Sequence, residues 1–433
     1  MENIYHVKTQ QKKINWHVTV PGSKSMTNRA LLMAALADGK TLLKGVLFSD
    51  DSRNFLGALK ALGFAVDADE ETKEVTVTGL NGEIPVTSGE IYVGSAGTAA
   101  RFLTAMLALA KGTFTINASE QMKKRPMKPL FDVLIKMGAK ITYLEEEGFL
   151  PIKIQGIGKM QDTDGPLHVA LDISKSTQFL SALLLISPML KQGLHIEITS
   201  ERKDGSYIGI TRNMMEQFGV KTAFDGSSYQ TPCKSAYRAG AYQIEPDVSA
   251  ACYFYAAAAL TGGTAVVEHV TWECMQGDLK FLKLLETLGC SVKDTEEGIE
   301  VTGAKNGKIK GITVDMKDFS DQTMTLAVLA PFAETPIRIE NVGHIRLQES
   351  DRIHATVTEL TRLGVRCDEE DDALTIYPST PKAGTVQTYD DHRIAMAFAL
   401  IGLRIEGIAI ANPMCCRKTF ETYFDVLEQL CAD

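Results

Sequence analysis

Six apolar segments rich in small residues recur along this chain of 433 residues, and their repetition constrains the fold more than any other feature. The spacing is close to 73 residues, and each segment is long enough for a buried helix. A fixed period of this length predicts repeated copies of one supersecondary unit. The six segments begin near Ser25, Gly97, Lys175, Asp247, Ser320 and Tyr389. We expect the first helix to stop at Gly39.

Amphipathic, more polar segments alternate with the apolar ones. Five of them end in an apolar residue followed by glycine, which predicts a helix that closes with a left-handed residue. These endings are Leu62-Gly63, Met137-Gly138, Phe218-Gly219, Leu288-Gly289 and Leu363-Gly364. The sixth amphipathic segment, residues 419–430, runs almost to the end of the chain, and Arg417, Lys418 and Thr419 are expected to open it.

Short β-branched runs follow most of those glycines and are predicted to form hairpins. The expected pairs are 64–66 with 75–77, 140–142 with 152–154, and 291–292 with 299–301. The repeated unit is therefore a helix, a strand, a second helix and then further strands. A chain this long favours two domains, so we expect three units in each, with the break near residues 238–246.

The composition is that of a soluble globular protein, with 45% hydrophobic and 23% charged residues. A net charge of -9 argues against bulk nucleic-acid binding, although a local cationic cleft could still hold an anionic ligand. The first 13 residues are polar, and no run of about 18 apolar residues follows. We therefore expect a cytoplasmic protein that binds neither membrane nor nucleic acid.

The eight cysteines all lie after residue 232, and none forms a Cys-x-x-Cys pair. No histidine spacing completes a set of metal ligands, so no metal site is predicted. We interpret the cysteines as reduced thiols that pack inside the protein.

Polar and cationic residues stand at the starts of the apolar helices. The first start carries Lys24, Ser25 and Arg29, and the second has Gly97 with Arg101. Unpaired backbone N–H groups and the helix dipole make such starts favourable for anions. The third start has the neutral hydrogen-bonding residues Ser176, Thr177 and Gln178.

The later helix starts combine carboxylates with further cations. Asp247 is expected to cap the fourth helix, whereas Asp321 at the fifth could be a cap or a general base. Arg393 enters the sixth helix at a position that normally favours an anion. Further cations stand at other element starts, namely Arg125, Arg352 and Lys418. So many cations at element starts predict a ligand with several negative charges, or two anionic ligands.

An ordered set of motifs across nearly the whole chain resembles the 5-enolpyruvylshikimate-3-phosphate synthase family of enolpyruvyl transferases. The matching stretches are 21–25 with Asn28-Arg29, 94–101, Arg125-Pro126, 349–352, 391–393 and 418–420. The resemblance implies an α/β protein with the two-domain enolpyruvyl transferase fold, built from six βαβαββ repeats, three per domain, with buried parallel helices. It implies one domain at residues 22–243, a second at 1–21 plus 244–433, and an active site in the interdomain cleft.

The same resemblance implies a reaction of the shikimate pathway, which leads to chorismate and the aromatic amino acids. The enolpyruvyl group of phosphoenolpyruvate moves to the 5-hydroxyl of 3-phosphoshikimate, and inorganic phosphate leaves without any cofactor. It implies that 3-phosphoshikimate binds Lys24, Ser25, Arg29, Ser176, Thr177, Gln178, Tyr207, Asp321 and Gln348. It implies that phosphoenolpyruvate binds Lys24, Gly97, Arg125, Gln178, Arg352, Arg393 and Lys418.

In this family the catalytic groups would be Asp321, Glu349 and Lys24. The hydroxyl must lose a proton as it attacks C2 of phosphoenolpyruvate, which suits Asp321. C3 must gain a proton, which suits Glu349 together with Lys24. The addition would give a tetrahedral intermediate, and elimination would then expel phosphate.

Four positions depart from the family pattern, and one of them is Phe102, which replaces a proline common after the arginine of the second helix. Gln348 stands where a lysine commonly contacts the shikimate ligand, His344 replaces a frequent asparagine, and Asp204 leaves only Tyr207 as a match for a Ser-x-x-Tyr pattern. Two alternatives stay open: a transferase that acts on UDP-N-acetylglucosamine, and a non-catalytic anion-binding homologue. No heptad or exposed apolar stripe demands a partner chain, so we expect a monomer.

Overall fold

The computed structural model describes residues 4–158, 165–304 and 308–432. The chain forms two compact units. Unit 1 comprises Met1–Pro21 and Glu245–Asp433, and unit 2 comprises Gly22–Ile244.

Thirteen α-helices lie in the described residues: α1 Lys24–Leu36, α2 Asp50–Ala61, α3 Gly97–Ala108, α4 Glu120–Lys123, α5 Lys128–Lys136, α6 Gln178–Ile186, α7 Ser206–Gln217, α8 Val248–Thr261, α9 Lys280–Thr287, α10 Thr323–Leu329, α11 Arg352–Arg362, α12 His392–Gly402 and α13 Tyr423–Leu430. Short 3₁₀ helices cover Ser187–Met189, Gly277–Leu279, Ser320–Gln322, Ala330–Phe332, Gly343–Leu347 and Pro413–Lys418.

The strands of the described residues are β1 Ile4–His6, β2 Asn15–Val18, β3 Asp38–Lys44, β4 Ala65–Asp69, β5 Glu74–Leu80, β6 Ser88–Tyr92, β7 Thr113–Asn117, β8 Lys140–Tyr143, β9 Ile152–Gln155, β10 Leu167–Leu171, β11 Leu194–Ile198, β12 Ala223–Phe224, β13 Ser228–Thr231, β14 Ala241–Gln243, β15 Thr264–Glu268, β16 Ser291–Asp294, β17 Gly298–Thr302, β18 Thr313–Asp315, β19 Ile337–Glu340, β20 Cys367–Glu369, β21 Ala373–Ile376, β22 Gly384–Val386 and β23 Ile408–Ala411.

The sheets repeat one topology. In unit 2 the strand orders are β14-β3-β5-β4, β6-β7-β9-β8 and β10-β11-β13-β12, and in unit 1 two sheets follow the same order, β2-β15-β17-β16 and β18-β19-β21-β20. In each, the first pair is parallel and a hairpin adds two antiparallel strands. A parallel pair needs a crossover, and a buried helix such as α3 between β6 and β7 supplies it. The predicted unit of helix, strand, helix and further strands is confirmed, and so is the βαβαββ order that the family resemblance implies.

Strands from distant parts of the chain complete some repeats. In unit 2 the first repeat takes β14, which pairs parallel with β3. In unit 1, β2 joins the sheet of β15, and β1 pairs antiparallel with β23. That last sheet has the order β1-β23-β22, so the sixth repeat has three strands rather than four among the residues described.

The predicted local features are largely confirmed. The five glycines after the amphipathic helices all have positive φ, between 83° and 113°. The three predicted hairpins form as β4 with β5, β8 with β9, and β16 with β17. The prediction that the first helix stops at Gly39 is wrong, because α1 ends at Leu36 and Ala37 is extended. Gly39 instead pairs with Gly79 inside the sheet.

The helix predicted to open at Arg417 begins later in the chain. Residues Pro413–Lys418 form a 3₁₀ helix, and α13 starts only at Tyr423. Proline at the start of the 3₁₀ segment removes a backbone donor, and a short 3₁₀ turn tolerates this loss. Lys418 therefore lies at the end of one element rather than at the start of another.

The repeated apolar helices are buried as their composition predicts. Every residue of α3 is buried, and so are all but one of the residues of α8. A helix that is apolar on all sides must lie inside a core, and the small alanines let neighbouring elements approach it closely. Within the described part of the chain, no helix combines the length and apolar character needed to cross a bilayer.

Candidate active site

In unit 2 the starts of the three apolar helices contact one another. Asn28 in α1 donates to the Thr98 hydroxyl in α3 over 2.7 Å. Nη1 of Arg101 in α3 donates to Oε1 of Gln178, the first residue of α6, over 2.8 Å. The starts of the three helices are therefore clustered in unit 2, and this clustering concentrates the positive ends of three helix dipoles.

Gly97 lies at the centre of a cationic cradle. A Cβ atom added there would clash with the guanidinium of Arg101 and would lie 2.9 Å from Nη2 of Arg125 and 3.0 Å from Oε1 of Gln178. Two guanidinium groups and one amide thus face the backbone at the start of α3. Because glycine has no side chain, an anion can approach both the helix start and the arginines.

Lys24, the first residue of α1, is held by a buried carboxylate. Its Nζ lies 3.4 Å from Oδ2 of Asp51, whose side chain is 1% exposed, whereas the Lys24 side chain is 18% exposed. No acidic residue lies in the first turn of α1. The ammonium group is therefore fixed at one point while its side chain remains partly accessible, and its contact with the substrates stays a prediction.

Arg29 is fully buried and contacts neutral groups of neighbouring helices. Its guanidinium donates to the Thr211 hydroxyl over 2.7 Å, to the Ser25 carbonyl over 2.8 Å and to the Tyr207 carbonyl over 3.1 Å. Burial lowers the pKa of Arg29 to about 10. These contacts tie α1 to the start of α7, and the contact of Arg29 with 3-phosphoshikimate stays a prediction.

The neutral residues predicted to bind 3-phosphoshikimate lie at the starts of α6 and α7. The Ser176 hydroxyl accepts from the backbone N–H of Gln178 over 3.2 Å, and Thr177 stands at the cap position without a side-chain cap. Tyr207 lies in the first turn of α7, and its ring centroid is 5.9 Å from the Arg29 guanidinium. Within the residues predicted to bind 3-phosphoshikimate, Arg29 therefore contacts Ser25 and Tyr207. Ser176 and Gln178 contact each other at the start of α6.

In unit 1, Arg352 is the centre of a dense polar network. Its guanidinium donates to Asp391 over 2.8 Å, to Glu349 over 2.8 Å and to Asp321 over 2.9 Å. It also donates to Oε1 of Gln348 over 3.2 Å. Burial alone would disfavour the charge, but the three carboxylates outweigh it and raise the pKa of Arg352.

The two carboxylates predicted to be catalytic each bridge two cations. Asp321 accepts from Arg352 and, over 2.7 Å, from Nη2 of Arg393. Glu349 accepts from Arg352 and lies 3.1 Å from Nζ of Lys418. We call this alternating series, Arg393, Asp321, Arg352, Glu349 and Lys418, the charge row. Each of its side chains is at most 11% exposed.

Local structure explains how these side chains come together. Asp351 caps α11, so Arg352 is the first residue of that helix, and Asp391 caps α12 by accepting from the N–H of Arg393. Asp391 thus offers one carboxylate to the helix start and to Arg352 at once. The Asp391 carboxylate supplies the negative charge that the start of α12 favours. A cationic side chain can therefore be accommodated at Arg393.

Two acidic residues of unit 1 were not predicted as site residues. Asp391 was recognised only as part of a motif, although its position directly before an apolar helix was a signal for a cap. Asp278 is buried and accepts from the Ser249 hydroxyl over 2.5 Å and from Gln322 over 3.3 Å. Burial, followed by repulsion from Asp321, raises the pKa of Asp278 to about 6. The sequence around Asp278, a single aspartate after Gly277, contains no pattern that predicts its burial close to Asp321.

His344 and Asp204, two of the departures from the family pattern, each contact a neighbouring hydroxyl group. The His344 imidazole lies 2.8 Å from the Ser320 hydroxyl, next to Asp321. Asp204 accepts from the Tyr229 hydroxyl over 2.9 Å. All eight cysteines are free thiols, as predicted, but Cys233 is exposed, so the prediction that all of them pack inside the protein is wrong. In residues 4–158, 165–304 and 308–432, no three His, Cys, Asp or Glu side chains are grouped to hold a metal ion.

Comparison with known proteins shows what the chain is similar to. The model of the family described as EPSP synthase (3-phosphoshikimate 1-carboxyvinyltransferase) matches residues 8–427. A 3-phosphoshikimate 1-carboxyvinyltransferase of Trichormus variabilis is 43% identical, with 94% of each chain covered. One from Halalkalibacterium halodurans, named 3-phosphoshikimate 1-carboxyvinyltransferase 2, is 40% identical and covers 99% of this chain and 95% of its own length.

Solved structures support the same fold. An EPSP synthase from Acinetobacter baumannii aligns with a TM-score of 0.82 at 24% identity, over 99% of this chain and 98% of its own. The enolpyruvyl transferase NikO from Streptomyces tendae aligns with a TM-score of 0.78 at 15% identity, over the same shares of the two chains. The predicted enolpyruvyl transferase fold is confirmed. Because the family match spans almost the whole chain and relatives exceed 40% identity over most of it, the chain belongs to the EPSP synthase (3-phosphoshikimate 1-carboxyvinyltransferase) family.

Proposed function

We propose that the charge row of unit 1 and the cationic helix starts of unit 2 carry out the reaction of this family. The enzyme transfers the enolpyruvyl group of phosphoenolpyruvate to the 5-hydroxyl of 3-phosphoshikimate and releases inorganic phosphate. The product is 5-enolpyruvylshikimate 3-phosphate. Both units act on the same pair of substrates in this proposal, so residues of each are needed for turnover.

The charge row is the observation that carries the proposal. It holds two carboxylates, Asp321 and Glu349, each between two cations. Carboxylates can move protons, and guanidinium groups bind phosphate and carboxylate oxygens in pairs. The reaction needs both abilities, because two anionic substrates must meet while one proton leaves an oxygen and another reaches a carbon.

The addition step assigns a role to each carboxylate. Asp321 accepts the proton of the 5-hydroxyl while that oxygen forms a bond to C2 of phosphoenolpyruvate. Glu349, with Lys24, delivers a proton to C3, so the double bond becomes a C2–C3 single bond and C3 becomes a methyl group. The product of this step is a tetrahedral intermediate that still carries its phosphate on C2.

The elimination step reverses the proton movements. Glu349, which gave up its proton in the addition step, takes a proton from the methyl group. The electrons of that C–H bond form the new double bond, and the C2–O bond breaks so that phosphate leaves with both electrons of that bond. The positive charge of Arg352, Arg393 and Lys418 stabilises the leaving phosphate. No external oxidant, reductant or cofactor is needed, since every proton and electron pair comes from the two substrates and the side chains.

Substrate binding is divided between two sets of residues in this proposal. Phosphoenolpyruvate contacts Lys24, Gly97, Arg125, Gln178, Arg352, Arg393 and Lys418. 3-Phosphoshikimate contacts Lys24, Ser25, Arg29, Ser176, Thr177, Gln178, Tyr207, Asp321 and Gln348. The accessible ammonium of Lys24 and the cradle around Gly97 support the first set.

Gln348 takes the place of a cation that the family commonly has. Its side-chain oxygen accepts from Arg352, and an amide can also donate to a substrate oxygen. We propose that Gln348 keeps a neutral contact to 3-phosphoshikimate. A neutral amide binds an anionic substrate less strongly than an ammonium group does.

Two further proposals concern the state of the protein. We propose that it acts in the cytoplasm, because eight free thiols fit a reducing compartment. We also propose that it acts as a monomer, because the repeats of each unit bury their own apolar helices.

Phosphate release is the experiment that tests the function. Purified enzyme is given phosphoenolpyruvate with 3-phosphoshikimate, and in a second reaction UDP-N-acetylglucosamine replaces the shikimate substrate. We expect release only in the first reaction. The segment from Ser119 to Lys124, which contains α4, has no cysteine. Transferases that act on UDP-N-acetylglucosamine typically carry a reactive cysteine there, and its absence supports the expectation. Release only in the second reaction, or in neither, would contradict the proposal.

A further inference from the structure

The turn that leads into α12 has a strained backbone. The Asp391 N–H donates to the Thr388 carbonyl over 2.8 Å, which closes a four-residue turn. Its two central residues, Tyr389 and Asp390, have φ of +54° and +56°. Turns with two positive φ angles favour Asn-Gly or Asp-Gly pairs, and a bulky residue such as tyrosine is an outlier there. Something other than local preference must hold this turn.

A buried carboxylate holds the first side of the turn. Glu359 in α11 is 1% exposed, and its Oε1 accepts from the Tyr389 hydroxyl over 2.8 Å. Its other oxygen accepts from the backbone N–H of Gln387 over 2.9 Å. Arg362 donates to Oε1 over 2.9 Å and balances the charge. Burial, followed by the bond to Glu359, raises the pKa of Tyr389 to about 12, so its hydroxyl stays protonated and donates.

An amide holds the second side of the turn. Nδ2 of Asn412 donates to Oδ1 of Asp390 over 3.2 Å. Asn412 itself has φ of +49° and immediately precedes the 3₁₀ helix that ends at Lys418. The turn is therefore tied to α11, which begins with Arg352, and to the segment that carries Lys418.

The strained turn places Asp391. This carboxylate follows the turn directly and accepts from both Arg352 and the N–H of Arg393. We propose that Tyr389 and Glu359 are positioning residues, which hold a strained turn so that Asp391 orients Arg352 for phosphoenolpyruvate. The inference rests on the proposed function, because it assigns Arg352 to that substrate. Strain of this kind clusters at functional sites, where the surrounding structure keeps it in place.

Two variants separate the effect of backbone strain in the turn from the effect of the hydrogen bond between Tyr389 and Glu359. Tyr389→Phe removes only the hydroxyl, so the turn remains strained and loses its hydrogen bond to Glu359 but keeps the one from Asn412. Glu359 keeps its contacts with Arg362 and the Gln387 N–H. The double variant Tyr389→Asn with Asp390→Gly removes both ties but installs the pair that such turns favour. Tyr377→Phe is the matched control, because its hydroxyl donates to Asp368 over 2.6 Å away from the turn.

We expect Tyr389→Phe to raise KM for phosphoenolpyruvate about tenfold, since it loses a hydrogen bond to a charged group. KM for 3-phosphoshikimate should stay unchanged, and the double variant should return close to the wild-type values. Glu359→Gln supplies a second way to weaken the tie, and melting temperatures confirm that each variant is folded.

An unchanged KM for phosphoenolpyruvate in Tyr389→Phe would overturn the inference, as would an equal rise for both substrates. An equally raised KM for phosphoenolpyruvate in the double variant would also overturn it. In that case, relieving the strain would not make the hydrogen bond to Glu359 dispensable. These outcomes all require an active wild-type enzyme. A wild type that releases no phosphate would instead contradict the proposed function.

Discussion

Nη1 of Arg352 lies 2.9 Å from Oδ1 of Asp321. The proposed proton acceptor is therefore ion-paired with an arginine that is proposed to bind phosphoenolpyruvate. Asp321 is also paired with Arg393. An anionic substrate that binds these arginines must compete with the carboxylate for them. Substrate binding would thereby release Asp321 from its ion pairs and make it available to the 5-hydroxyl.

Replacing Asp321 tests its role as the proton acceptor. We expect Asp321→Asn to lower kcat by about 10² to 10⁴, because a general base is lost. KM for phosphoenolpyruvate should not rise, since a competing anion is removed from Arg352 and Arg393. Steady-state phosphate release measures kcat, and calorimetry measures substrate binding. Asp318→Asn is the control, since Asp318 lies three residues away and pairs with the exposed Lys280. Full activity of Asp321→Asn would exclude the role.

Gly97→Ala tests the cationic cradle of unit 2. The new methyl group would displace the guanidinium groups of Arg101 and Arg125, which are the flexible ends of their side chains. We expect KM for phosphoenolpyruvate to rise on the order of tenfold to a hundredfold, with little change in melting temperature. Gly57→Ala in α2 is the matched control, because nothing lies within 4 Å of a Cβ added there. Equal kinetics for the two variants would argue against the cradle as a substrate site.

Lys418→Met tests the end of the charge row. Its ammonium group is 3.1 Å from Oε1 of Glu349, and its side chain is only 7% exposed, so methionine can fill the space without the charge. We expect weaker binding of phosphoenolpyruvate, by about tenfold to a hundredfold, measured by calorimetry. The neighbouring Arg417 is half exposed and pairs with Glu421, so Arg417→Met should bind normally. Similar losses in both variants would point to general electrostatics instead of a specific contact.

Asp278 predicts a pH dependence of stability. Its pKa in the folded protein is raised to about 6 from an unfolded value of 3.8, mainly by burial. A raised pKa contributes stability below about pH 4 that is lost as pH rises through about 6. The melting temperature of Asp278→Asn, relative to that of the wild type, should therefore increase as the pH rises from 4 to 7. Asp318→Asn is the control, and a difference that does not vary with pH would refute the assignment.

Local features of the fold could be predicted because they depend on residues close in sequence. The glycines that end the amphipathic helices, the three hairpins and the burial of α3 and α8 follow from periodicity and backbone preference. The end of α1 was misplaced by three residues, since the glycine taken as a terminator belongs to β3. The start of the last helix was misplaced because a 3₁₀ segment has no distinct periodic pattern.

The sequence by itself determined which residue types stand at the helix starts and that the unit is repeated six times. Only the tertiary structure decided how those residues pair. Arg352 meets Asp391 across 39 positions, Arg393 meets Asp321 across 72, and Arg101 meets Gln178 across 77. Such pairings depend on how the repeats pack, and a local pattern contains no record of that packing. The burial that raises the pKa of Asp278 likewise exists only once α8 and its neighbours have come together.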